Sequence, residues 1–325
     1  MPDTAHTPRA LTIAGSDSGG GAGIQADLKA FASCGVHGMS AITAITAQNT
    51  LGVSAIHPVP PSIVLAQVRA VLNDIGVDAV KIGMLATAEI VAVVAQVLDE
   101  LPAGVPVVVD PVMVAESGAR LLDEDAENAL IAQILPRATV LTPNLHEARA
   151  LARRTRAESE GEGGVQRGAR EGSAERERSA GDEKVARSDG GEGAPSGSGE
   201  PAYADDDAYE LVRTVLALGP RIVVLTGGHR AQAVDLFLDA EDPDRFVSIP
   251  GERHPDGAAH GSGCTHSSVL AAQLALGRTP LQAAFAAREL AGAAVAAGLR
   301  DVGKGSGPVD VLGLERLRER RSVSE

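Results

Sequence analysis

The feature that most narrows the fold is an alternation along the chain. Short apolar runs at 10–14, 79–82, 105–109, 138–141 and 221–225, bounded by Gly, Pro or Asp, are separated by helical patterns at 22–33, 88–101, 123–135 and 203–218. A run that is apolar throughout, rather than at every second position, is the signature of a strand buried on both faces. Such strands alternating with helices predict a mainly parallel sheet sandwiched by helices, an α/β fold in three layers. After the last run, 233–238 and 245–249 read as two strands joined by a turn at 239–244, and 264–276 and 280–299 as two closing helices. Aromatic residues are only 2% of the chain and Trp is absent, so the core must be Ala, Val, Ile and Leu, which argues against an aromatic platform for stacking bases or sugars.

The alternation is broken once. Between Arg153 and Glu200 the chain holds 11 Gly, 9 Lys or Arg and 11 Asp or Glu against 8 apolar residues, all Ala or Val. That segment has too little to bury to offset its ordering entropy, so an excursion at about 153–204, disordered or lying on the surface, is expected within a single domain spanning 1–325. Its charges nearly cancel, and the net charge of −14 therefore belongs to the folded part. A chain this acidic does not hold nucleic acid by neutralising phosphates. Cys34 and Cys264 form neither a CxxC pair nor a secreted disulfide framework. The N-terminal stretch has too short an apolar run for a signal peptide, and 290–299 is about half a membrane span. A soluble, cytoplasmic protein with no nucleic-acid or membrane partner is expected.

Three sets of residues carry chemistry. Gly15-Ser-Asp-Ser-Gly-Gly-Gly-Ala-Gly23 turns from the first strand into a helix. It partly fits a dinucleotide fingerprint, but no acidic residue occurs between Leu28 and Asn73 to hold a ribose, and no GxxxxGK[ST] is present. His260-Gly-Ser-Gly-Cys264 precedes a helix; its small residues and the helix dipole suit a phosphate, and a cysteine there is expected to ionise readily. Asp110, Thr142-Pro-Asn144 with Glu147, and Thr226-Gly-Gly228 follow strand runs. In a parallel sheet these ends share one crevice, where Asp110 and Glu147 offer hard oxygens for magnesium, although Asn144 to Glu147 also reads as a capping box.

The blocks AGSDSGGGAGIQADLKAF (14–31), ITAQNT (45–50), KIGM (81–84), VVDPVM (108–113), LTPNLHEA (141–148), TGGH (226–229) and HGSGCTHSS (260–268) resemble the hydroxymethylpyrimidine/phosphomethylpyrimidine kinases of thiamine biosynthesis, in the same order. The resemblance implies a three-layer α/β/α ribokinase-like fold with a central, mostly parallel sheet, and MgATP as phosphoryl donor. It puts the pyrimidine beside Gly15, Asp27, Gln48, Met84, Val112 and Cys264. Cys264 corresponds to the base, and Gly261, Ser262 and Gly263 to the anion hole. Asp110 and Glu147 correspond to magnesium-linked acids, and Asn144, Thr226 and Gly228 to nucleotide contacts. Many relatives have Lys where this chain has Thr226, so Arg288 is the expected cation for the triphosphate. A homodimer is also implied. The activity expected is phosphorylation of 4-amino-5-hydroxymethyl-2-methylpyrimidine and then of its monophosphate; a pyridoxal kinase of the same lineage and a silent pyrimidine sensor are the alternatives.

Overall fold

The computed structural model describes residues 6–115, 118, 120–162, 205–228, 233–255, 257–314 and 317. All nine strands of the described chain belong to one sheet, in the order β3-β2-β1-β4-β5-β6-β7-β8-β9. The strands are β1 (Arg9–Asp17), β2 (His37–Asn49), β3 (Gly52–Pro58), β4 (Ala79–Ile82), β5 (Val107–Val109), β6 (Val140–Leu141), β7 (Ile222–Leu225), β8 (Asp235–Asp239) and β9 (Asp242–Ile249). The six central strands, β2, β1, β4, β5, β6 and β7, pair in parallel. Antiparallel partners close both margins, β3 on β2 at one and β8 with β9 on β7 at the other.

The helices are α1 (Gly23–Ser33), α2 (Pro61–Asp74), α3 (Ala88–Asp99), α4 (Glu124–Ala129), α5 (Leu145–Glu162), α6 (Asp205–Leu216), α7 (Ser262–Ala275) and α8 (Pro280–Ala296). Two apolar clusters show how they are layered. On one face Leu11, Ile13, Val80 and Ile82 pack with residues of α2 to α6; on the other Ala10, Val108, Val140 and Val224 pack with α1, α7 and α8. Alternate residues of one strand serve opposite clusters, which is why the central strands carry no polar face and read as unbroken apolar runs.

The expected three-layer architecture is found, with local differences. The β2, β3 and α2 segment gave no recognised pattern: Ser40-Ala-Ile-Thr-Ala-Ile-Thr-Ala47 mixes small, polar and branched residues, and neither face is uniformly apolar. The turn between β8 and β9 is shorter than 239–244, because β9 starts at Asp242 and accepts Pro243 on a sheet margin, where its missing N–H costs no ladder bond. Helix 123–135 ends at Ala129 and continues as a π turn and a 3-10 turn to Arg137. Helix α5 runs ten residues past the composition break, and 163–204 lie outside the described residues.

Topology fixes where the crevice lies. From β1 the chain crosses to β2 on one side, and after α2 it returns to β4 on the other. The order in which strands are added therefore reverses between β1 and β4, and at such a switch point open parallel sheets bind ligands outside the carboxyl ends of their strands.

Candidate active site

Below the crevice, at the point where the sheet splits, lies a group of buried charges. Lys81 stands in an otherwise apolar strand with no solvent exposure, its Nζ 2.9 Å from Asp27 Oδ1 and 3.7 Å from Asp110 Oδ2. Asp27 also accepts Ser268 Oγ at 2.7 Å and Thr12 Oγ1 at 2.6 Å, and Asp110 accepts Ser267 Oγ at 3.1 Å. Cys264, Ser267 and Ser268 are three and four residues apart on α7, so one helix face presents a thiol and two hydroxyls to this cluster. Although burial alone would depress it, the Lys81 ammonium is held protonated chiefly by Asp27, with Asp110 adding to the effect.

Two helix N-termini meet above that floor without side-chain caps. At α1 the cap is Ala22 and at α7 it is Gly261, whereas α3, α4 and α8 are capped by Thr87, Asp123 and a Thr279–Gln282 capping box. The amides of the first turn are thereby left to a ligand or to neighbouring loops. Gly23 donates its backbone N–H to the Cys264 thiol. The two glycine-rich loops lie directly against one another: a Cβ on Gly261 would collide with the Gly21 carbonyl, and one on Gly21 with the His260 ring. Asp17 gathers this corner, accepting N–H groups of Gly19, Gly21 and Ala22 and lying 3.2 Å from His260 Nε2.

The thiol is not poised as its helix position suggested. Burial, reinforced by the Asp110 and Asp27 carboxylates, pushes Cys264 up to about 12 in the ligand-free protein, against the opposing pull of Lys81 and the Gly23 amide. Burial also raises Asp110, with Asp27 adding to the shift and Lys81 opposing it. Glu147 is pushed up to about 8 by burial and by the charge of Asp110.

The other expected residues have the following places, and two of them are engaged within the protein. Gly15 packs against Met84, whose carbonyl accepts Thr43 Oγ1, and a Cβ on Gly15 would lie 3.1 Å from the Met84 sulfur. Gln48 is half-buried and bonded through its backbone N–H and carbonyl to Ser18 Oγ; Val112, also half-buried, donates its N–H to Asp110 O. Ser262 and Gly263 form the first turn of α7. Asn144 and Glu147 are a capping box: Asn144 Oδ1 accepts the Glu147 N–H at 3.0 Å, and Glu147 Oε2 accepts the Asn144 N–H at 2.9 Å. Thr226 donates its N–H to Pro143 O at 2.9 Å, and an added Cβ on Gly228 would meet nothing, so that backbone is open. Asp27 is the first of these two: it lies beneath the crevice with both oxygens occupied, supporting the site rather than facing a ligand. Arg288 is the second: Nη2 donates to Ala233 O at 2.6 Å and Nη1 lies 3.7 Å from Asp235 Oδ1, so the guanidinium is turned into the protein. His229 lies outside the described residues.

Comparison with known proteins decides the family. The phosphomethylpyrimidine kinase family profile matches residues 17–171 and 198–310. A hydroxymethylpyrimidine/phosphomethylpyrimidine kinase of Rhizobium meliloti is 42% identical over 306 residues, 93% of this chain and 96% of that relative. The chain belongs to the phosphomethylpyrimidine kinase family. Among solved structures, the kinase is similar to a phosphomethylpyrimidine kinase from Clostridium difficile, with TM-score 0.62 and 34% identity over 86% of this chain and 96% of that one. It is also similar to the pyridoxal kinase from Staphylococcus aureus, solved in complex with AMP-PCP and pyridoxal, with TM-score 0.72 and 29% identity over 96% of each chain.

In this kinase the residues that sequence reasoning left without a role are Lys81, Ser267, Ser268 and Thr12. A signal for the first was present, since a lysine inside Ala79-Val-Lys-Ile82 must be buried with its counter-charges. No helix among the described residues is long and apolar enough to cross a membrane.

Proposed function

We propose that the kinase phosphorylates 4-amino-5-hydroxymethyl-2-methylpyrimidine, and then its monophosphate, with ATP as donor. The observation that carries this reading is the position of Cys264, at an uncapped helix N-terminus and surrounded by Gly23, Lys81 and Asp110. Gly15, Gln48, Met84 and Val112 bind the pyrimidine at the β1 and β4 end of the crevice, and Asn144, Thr226 and Gly228 hold the nucleotide at the β6 and β7 end. The substrate hydroxyl gives its proton to the Cys264 sulfur as its oxygen bonds to the γ-phosphorus, and the bond to the ADP oxygen breaks. The backbone amides of Gly261 and Gly263 stabilise charge on the transferred group, whereas the expected Ser262 N–H instead donates to Ala259 O at 2.9 Å.

Asp110 and Glu147 suit magnesium, which takes one or two carboxylates and completes its shell with phosphates and water. Their chemistry fits, since the charge of Asp110 raises the proton affinity of Glu147 and a divalent cation held by both would relieve it. Magnesium held there supplies positive charge against the triphosphate. Lys81 and the Gly23 amide lower the proton affinity of the Cys264 sulfur, and relief of the Asp110 charge would lower it further.

One kinase domain interrupted at about 153–204 is supported by the single sheet. Self-association is supported by Ile45, Leu51, Ile56 and Ile63, apolar residues exposed around the β2–β3 margin and the start of α2. The pyridoxal-kinase reading keeps support from the close structural likeness to that enzyme. Turnover assayed in parallel with the hydroxymethylpyrimidine, its monophosphate and pyridoxal decides the matter. Both pyrimidines are expected to turn over; turnover of pyridoxal alone overturns the proposal, and binding without turnover points to a sensor.

A further inference from the structure

We propose that Asp235 is a positioning residue for phosphoryl transfer, tying the nucleotide loop 226–228 to the helix that carries Cys264. The proposal rests on the kinase reading above. Asp235 opens β8 and is fully buried, and a carboxylate there persists only if its oxygens are satisfied. Its donors come from three separate places. Oδ1 accepts the Gly227 N–H at 2.7 Å, Oδ2 lies 3.0 Å from His266 Nε2, and the Arg288 guanidinium stands 3.7 Å from Oδ1. Together they hold the carboxylate in its charged form despite burial.

The geometry assigns each partner a task. Gly227 lies so close to Val234 that a Cβ would collide with its carbonyl, so the loop backbone is seated on the start of β8. His266 is two residues beyond Cys264, on the side of α7 turned towards that strand. Arg288 balances the charge and is wedged over Gly251, where a Cβ would collide with the guanidinium. One carboxylate thus serves as the common reference for the backbone that meets the phosphates and for the helix that presents the base.

The cluster is not built for stability alone. Among the described residues, His266 Nδ1 and Arg288 Nε are buried with no hydrogen-bond partner, so the cluster holds polar atoms that an apolar packing would not contain. What it supplies is register between nucleotide and base, and a displacement of about 1 Å in such register costs up to 10²-fold in rate.

The test uses the full chain and three variants. Asp235→Asn preserves shape but removes the charge; His266→Ala removes the link to α7; His266→Gln restores an amide donor of similar reach. Asp235→Asn and His266→Ala are each expected to raise KM for ATP about tenfold and lower kcat 10- to 100-fold, with KM for the pyrimidine changed less than twofold. His266→Gln is expected to recover at least half of the lost kcat, and the double variant to be no worse than the worse single one. Calorimetric titration of ATP onto the protein without a second substrate reads the loop whatever the hydroxymethyl substrate is, so a failure of the substrate reading leaves this test standing. Unchanged ATP affinity, equal rises in both KM values, or additive single effects overturn the proposal. If Asp235→Asn does not fold, normal kinetics in His266→Ala do the same.

Discussion

The two ends of the crevice are built from different materials. At the β1, β4 and β5 end the floor is a dense set of ionisable groups, Asp27, Lys81, Asp110 and Cys264, whose charges shift one another. At the β6 and β7 end the lining is backbone, with Thr226 and Gly228 presented by a loop seated on Pro143 and Val234, and the anchoring charge of Asp235 lies behind that loop. Proton transfer needs tunable groups beside the reacting oxygen, and a nucleotide bound mainly through amides and a metal needs only fixed dipoles. Under the proposed function, that division would let a chain of net charge −14 accommodate a triphosphate.

The sharpest way to break the comparison is to remove chemistry from the first end. Cys264→Ala is expected to lower kcat by 10²- to 10⁴-fold while pyrimidine still binds, as judged by calorimetry; near-normal turnover would remove Cys264 as the base. Lys81→Met leaves Asp27 and Asp110 buried without their counter-charge. A loss of about 3–5 kcal/mol, seen as a fall of roughly 10 °C or more in melting temperature, is expected. An unchanged melting point would mean that the floor is not held by charge.

The elevated proton affinity of Glu147 gives a pH test of intermediate size. Folded Glu147 binds its proton up to about pH 8, and the unfolded chain releases it near 4.5, so folding takes up a proton between those values. Stability from this group is complete below the unfolded value and declines as pH rises towards 8. Glu147→Gln should therefore raise the melting temperature of the metal-free protein more at pH 8 than at pH 5, and a gain independent of pH would contradict the shift. The smallest effect belongs to the second end: Thr226→Lys adds a charge where the hydroxyl makes only a 3.5 Å contact to Pro143 O. A two- to fivefold lower KM for ATP, abolished by high salt, is expected.

Much of the fold could be read from the chain because strands buried on both faces announce themselves as apolar runs. The β2–β3 margin could not, since the exposed β3 carries no such run. That Asp110, Asn144 and Thr226 follow the ends of β5, β6 and β7 was legible for the same topological reason. The ionisation of Cys264 was not: helix position favours the thiolate, and the opposing carboxylates come from segments over 150 residues away. That Arg288 turns to Ala233 and Asp235 was not legible either, since those partners are set by tertiary packing and leave no local trace.

The contact between Gly21 and Gly261 bears on how the enzyme can be altered. The two loops share a single gap, 240 positions apart in the chain, that neither can fill with a side chain. A library that randomises one loop to admit a bulkier heterocycle inherits the contour of the other, so most of its members fail at the seam before their new pocket is ever tried. Productive variants are to be sought by changing both loops together, or by leaving the seam intact and changing Met84 and Val112, beside which the proposed function places the pyrimidine.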